Sequence, residues 1–183
     1  MSRMLLLLLV AFSLWSADRK PAQPQDMARI VQNGPSDTEP NLMAFTLSSV
    51  EGDKLSLAAL KGKALVLDFW ATWCLPCREQ HVLLQKVKQS FQAREDVVFL
   101  SISTDEQKQR VKPFLVREGW QDKVYFEGGL SEAYRVTSLP ASIVIDRDGH
   151  VSSRMTGLVP GEFVEAISRR IRDVLEPLKT TAP

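Results

Sequence analysis

The chain has 183 residues, 44% of them hydrophobic and 25% charged, with 23 Lys and Arg against 22 Asp and Glu. That is ordinary globular material for one domain with extensions, large enough to bury a core without disulfide staples. The basic residues are scattered rather than gathered in a patch or stripe, which argues against a nucleic-acid-binding surface.

In chain order, Met1-Ser2-Arg3-Met4 leads into an apolar run over residues 5–15. The run suits a signal peptide and falls short of the roughly 20 residues of a membrane-spanning helix. Cleavage after Ala17 would place bulky Trp15 where a small residue is preferred, so residues 1–17 read as a signal peptide or a retained N-terminal anchor. Either reading places the folded part outside the cytoplasm. Residues 18–40, with Pro21, Pro24, Gly34, Pro35 and Pro40, read as a flexible linker. The domain is expected over 41–178, with a frayed tail at 179–183.

Within the domain, residues 44–47 and 54–57 suggest a short hairpin around Glu51-Gly52-Asp53. Residues 64–69 form an apolar run with one charge, as for a strand covered on both faces. Residues 74–94 have helical periodicity, with Leu83, Leu84, Val87 and Phe91 on one side. A buried strand follows at 97–103, then a helix at 106–118 that Pro113 is expected to kink or interrupt. Short elements are expected at 124–126 (strand) and 131–135 (helix). A strand at 142–145 and a turn at 146–149 lead to a strand starting at His150. An amphipathic helix at 161–175 closes the domain. The alternation predicts an α/β fold, a central mixed β-sheet with helices on both faces.

The only cysteines are Cys74 and Cys77. A bridge between them closes too small a loop to stabilise the fold much, so a reactive dithiol is the better reading. Cys74 falls where a helix begins, and the unpaired N–H groups there favour a thiolate. Such cysteines have pKa values lowered to roughly 3.5–7.5. Cys74 is therefore expected to be the exposed nucleophile and Cys77 the inner, resolving thiol. Pro76 lacks an N–H and suits the first helical turn. The alternative is a metal site from Cys74, Cys77 and His81; structural zinc usually wants four ligands, and no second cysteine pair exists.

Asp68 is a lone carboxylate in an apolar strand, six residues before Cys74. Burial should raise its pKa, leaving it neutral near pH 7 and placed to take the proton from Cys77, directly or through water. Pro140, just before the 142–145 strand, belongs at a strand start because it cannot donate to a ladder.

Three segments carry a family resemblance: Leu67-Asp68-Phe69-Trp70-Ala71-Thr72-Trp73-Cys74-Leu75-Pro76-Cys77-Arg78, Ala133 through Pro140, and Val144-Ile145-Asp146-Arg147-Asp148-Gly149 with Gly157. On these the chain resembles the thioredoxin superfamily, and within it the exported TlpA- and ResA-like branch. The resemblance implies a thioredoxin-like fold in which Pro140 is cis and lies beside the cysteines. Trp73, Pro76, Leu139 and Pro140 are then the candidate substrate-binding residues, the backbone of Leu139 pairing with a bound partner's extended chain. The plain alternative for Trp73 and Leu139 is core packing. Two positions depart from the branch, which commonly has Glu where this chain has Gln80 and Asn where it has Asp68. The acid function is expected to have moved from helix to strand.

The implied activity is thiol–disulfide exchange with protein substrates, without cofactor or metal, by a monomer in the periplasm or an equivalent exported space. The resemblance leans towards reduction, with electrons from a membrane thiol donor and apocytochromes c or copper-site cysteines as clients. A disulfide oxidase or isomerase remains open, as does a metal carrier using the same cysteines. A peroxide-reducing enzyme is disfavoured, since the chain lacks a Pro-x-x-x-Thr-x-x-Cys arrangement around the nucleophile.

Overall fold

A computed structural model describes residues 41–176. The signal or anchor segment, the linker and the tail lie outside these residues. Seven strands form one mixed sheet: β1 (Thr46–Ser49), β2 (Lys54–Ser56), β3 (Ala64–Trp70), β4 (Val97–Ser103), β5 (Val124–Phe126), β6 (Ala141–Ile145) and β7 (Val151–Thr156). Their order is β2-β1-β5-β4-β3-β6-β7. β3, β4 and β5 run parallel, and the remaining pairings are antiparallel. Four helices accompany them: α1 (Leu75–Ser90), α2 (Val111–Glu118), α3 (Leu130–Ala133) and α4 (Pro160–Leu175). Among the described residues no helix is long and apolar enough to cross a membrane.

β3 is buried at every position. Its alternation sends Leu65, Leu67 and Phe69 to one face, where Leu42, Leu47, Leu57, Leu130 and Tyr134 cover them. Ala64 and Val66 point to the other face, against Leu84, Val87 and Phe91 of the α1 segment and Phe163, Ile167 and Ile171 of α4. Asp68 shares that second face by the same period of two. Trp70 lies there as well, packed with Val111, Phe114 and Leu115 of α2 and with both cysteines.

Several boundaries differ from the sequence reading: β1 lies two residues later than 44–47, and α3 ends at Ala133 rather than 135. Pro113 does not interrupt its helix. A 3₁₀ turn occupies Lys108–Arg110 and the α-helix starts at Val111, so Pro113 lies in the first turn, where its missing N–H has no partner to lose. Gly119 then ends α2 in the left-handed region, φ 68°. The long helix stops at Ser90 rather than 94, because Phe91 leaves helical dihedrals and buries its ring in the core beside Phe99.

Candidate active site

β3 delivers the chain to the dithiol through Ala71-Thr72-Trp73. Asp105, just beyond β4, pins this segment. Its carboxylate accepts from the Thr72 N–H at 2.9 Å, the Thr72 hydroxyl at 2.6 Å and the Ser103 hydroxyl at 2.9 Å. The Cys74 N–H donates to the Ala71 carbonyl, and Cys74 becomes the N-cap of α1. Its Sγ accepts from the Cys77 N–H at 3.2 Å, one of the otherwise orphan donors of the first turn. Cys74 and Cys77 are joined as a disulfide, with Cα atoms 5.3 Å apart. The expected pairing of the sulfurs and their place at a helix start are thus present.

The expected exposure of Cys74 is not. Cys74 is only 3% exposed, close to the 2% of Cys77, because the disulfide packs into the apolar cluster with Trp70, Phe114 and Val124. The open surface belongs to its neighbours: Trp73 and Leu75 are 73% and 71% exposed. Trp73 is therefore not a core residue. Pro76 is exposed beside them. The Leu139–Pro140 peptide is cis. Pro140 is buried, and Leu139, half-buried, packs against the cluster that holds both cysteines. The Pro140 carbonyl accepts from the Gly157 N–H at 2.8 Å.

Asp68 is buried, and its Oδ1 accepts from Gln80 Nε2 at 2.7 Å. Gln80 follows Cys77 by three residues, so the helix sets both side chains on one face, and Gln80 reaches Asp68. Burial raises the Asp68 pKa to about 6; the Gln80 hydrogen bond and the charge of Lys88 offset part of that rise. Direction and cause match expectation, but a value near 6 does not keep the group neutral at pH 7. Asp68 is predominantly a carboxylate there, because its one strong donor favours the charged form.

His81, the third ligand of the metal alternative, is committed elsewhere. Its ring stacks on Trp120 with centroids 3.6 Å apart and planes 6° from parallel. Burial holds its pKa below the ordinary value, against the pull of Asp122, whose carboxylate lies 3.7 Å from Nδ1. Sequence reasoning missed the parts played by Asp105, Trp120 and Gln80. Gln80 left a trace, as a polar residue at a core-facing helix position. Asp105 left none that sets it apart from its neighbour Glu106.

A dithiol paired at a helix start, beside a cis-proline strand in this sheet order, defines a thioredoxin-like redox protein. The chain matches the AhpC/TSA family over residues 40–154 and belongs to it. It is 31% identical to the thiol-disulfide oxidoreductase ResA of Bacillus thuringiensis (strain Al Hakam) over 129 residues, 69% of this chain and 74% of the relative. With that identity and coverage, the chain belongs with the ResA-type thiol–disulfide oxidoreductases. The thioredoxin-like protein YneN of Bacillus subtilis (strain 168) is 25% identical over 163 residues, 88% of this chain and 91% of that protein. The crystal structure of a thiol:disulfide interchange protein of the thioredoxin family from Chlorobium tepidum TLS superposes with a TM-score of 0.61. It is 28% identical and covers 80% of this chain and all of that one.

Proposed function

We propose that the protein is an exported reductase of protein disulfides, re-reduced by a membrane thiol donor. The observation that carries this is the Cys74–Cys77 disulfide at the head of α1, framed by the exposed Trp73 and Leu75. The pair can hold or release two electrons by opening and closing this bond, as exchange with a client disulfide requires.

In the reduced enzyme, the Cys74 thiolate attacks a client disulfide. One client sulfur leaves as a thiolate and takes a proton, and Cys74 becomes mixed-disulfide bonded to the other. Asp68 accepts the Cys77 proton, directly or through a water. The Cys77 thiolate then attacks Cys74 Sγ, which re-forms the internal disulfide and expels the second client sulfur. Client chains dock across Trp73, Pro76, Leu139 and Pro140, the backbone of Leu139 pairing with the client's extended strand. Apocytochrome c and copper-site cysteines are the client classes implied by the resemblance to the ResA-like branch. The N-terminal run over residues 5–15 supports export, by a cleaved signal or a retained anchor. The catalytic unit is a monomer.

Cys74→Ser is expected to abolish exchange. Cys77→Ser is expected to accumulate covalent client adducts, which mass spectrometry of captured proteins would identify. A reduction potential near thioredoxin's ~−270 mV is the expected result, and one near DsbA's ~−120 mV would overturn the reductase direction.

A further inference from the structure

We propose that Gln80 and Ser142 form a two-position hydrogen-bond switch that lets buried Asp68 gain and lose a proton while Asp68 Oδ1 and Ser142 Oγ both keep a hydrogen-bond partner. The inference rests on the reading of Asp68 as proton acceptor and goes beyond it, to the residues that make repeated proton transfer possible inside the core.

The three side chains are buried. Gln80 Nε2 is 2.7 Å from Asp68 Oδ1 and 3.2 Å from Ser142 Oγ. Ser142 lies directly across the β3–β6 ladder from Asp68. A carboxylate can only accept, so in the ionised state the two amide protons of Gln80 serve Asp68 and Ser142. A protonated Asp68 gains an O–H, and with the proton on Oδ1, the oxygen that faces Gln80, it donates there. A half-turn of the Gln80 amide puts Oε1 where Nε2 was, and its two lone pairs take the Asp68 O–H and the Ser142 O–H. The serine hydroxyl follows, because it can donate as readily as it accepts. In both protonation states Asp68 Oδ1 and Ser142 Oγ then keep the Gln80 amide as their partner, as buried polar groups require. A Lys or Arg at position 80 could serve only the ionised form.

The other groups acting on Asp68 do not change roles in this way. Lys88, further along α1, favours its charged form, and Asp122, before β5, opposes it. Across the β3–β4 ladder, Asp68 faces Ser101, whose hydroxyl accepts from the Trp70 indole N–H at 2.8 Å.

The test follows the Asp68 carboxyl carbon and the Gln80 side-chain amide by NMR against pH in the full-length oxidised protein, alongside the pH profile of mixed-disulfide resolution. The Gln80 amide resonances are expected to titrate with the Asp68 midpoint, and to stop titrating in Asp68→Asn. Gln80→Met keeps the length and removes the switch. It should move the Asp68 midpoint up by roughly one to two pH units, a ten- to hundredfold change in proton affinity, and carry the rate profile with it. Ser142→Ala should move it the same way by less. Amide resonances that ignore the Asp68 titration would overturn the switch, and this measurement needs no variant to fold. An Asp68 midpoint that stays put in Gln80→Met would overturn it as well. If the midpoint moves while the rate profile does not, the switch stands and the catalytic reading of Asp68 falls.

Discussion

Asp105 and Asp68 are both buried, one just beyond β4 and one in the middle of β3, and their surroundings differ in a way that separates holding from reacting. Asp105 accepts three hydrogen bonds, two of them from Thr72 in the segment that leads into Cys74. Its donors are held in place by the ends of β3 and β4, as suits a group that braces the chain. Asp68 has one side-chain donor at hydrogen-bond distance, the Gln80 amide, and lies buried in β3 between Leu67 and Phe69. Its charge is underpaired, and burial pushes its proton affinity up. A carboxylate short of partners is a poor brace and a usable base.

The comparison is tested hardest at Asp68. The native group binds its proton with a pKa of about 6, against 3.8 for the ordinary side chain. Between those values the folded state holds more protons than the unfolded chain, so stability falls as pH rises through this window and does not return above it. Asp68→Asn is therefore expected to make the oxidised protein more stable at pH 8 by up to about 3 kcal/mol, with little difference near pH 3.5. Urea unfolding at the two pH values reads this directly. The same variant should slow mixed-disulfide resolution by roughly 10²-fold and leave the first attack nearly unchanged. Slowing confined to the attack would remove Asp68 from the proton path.

Asp105→Ala should act in the opposite sense. It strips the Thr72 N–H and two hydroxyls of their acceptor and is expected to destabilise by about 2 kcal/mol at pH 7. A variant as stable as the wild type would show that the segment before Cys74 does not depend on this carboxylate. The smallest stability effect is expected outside both sites, at Trp73. Trp73→Ala should change stability by no more than about 0.5 kcal/mol, since the side chain is largely in solvent. It should raise KM for protein clients, with little change for a small disulfide such as oxidised glutathione. An unchanged KM for folded clients would remove Trp73 from the docking surface.

Much of the fold was legible because its signals are local. β3 and β4 are continuous apolar runs, the hairpin of β1 and β2 is marked by Glu51-Gly52-Asp53, and α1 and α4 repeat at the helical period. Pro113 misled because position within a helix decides what a proline costs, and that position depends on where the preceding 3₁₀ turn ends. Leu139 reads as packing or as docking from sequence, and in the structure it packs against the dithiol cluster while remaining half-exposed. The burial of Cys74 escaped because its neighbours come from α2 and β5, up to fifty residues away in the chain.

By itself, the amino-acid sequence determined the alternation of strands and helices, the two-residue spacing of the cysteines at a helix start, and the presence of one charge in an apolar strand. These depend on backbone periodicity and on neighbours within a turn or two. Only the tertiary structure decided which partner that charge has, how far its proton affinity rises, and which residues beside the disulfide face solvent. Those follow from distances between side chains remote in sequence, because desolvation and hydrogen bonding act over a few ångströms of space whatever the separation along the chain.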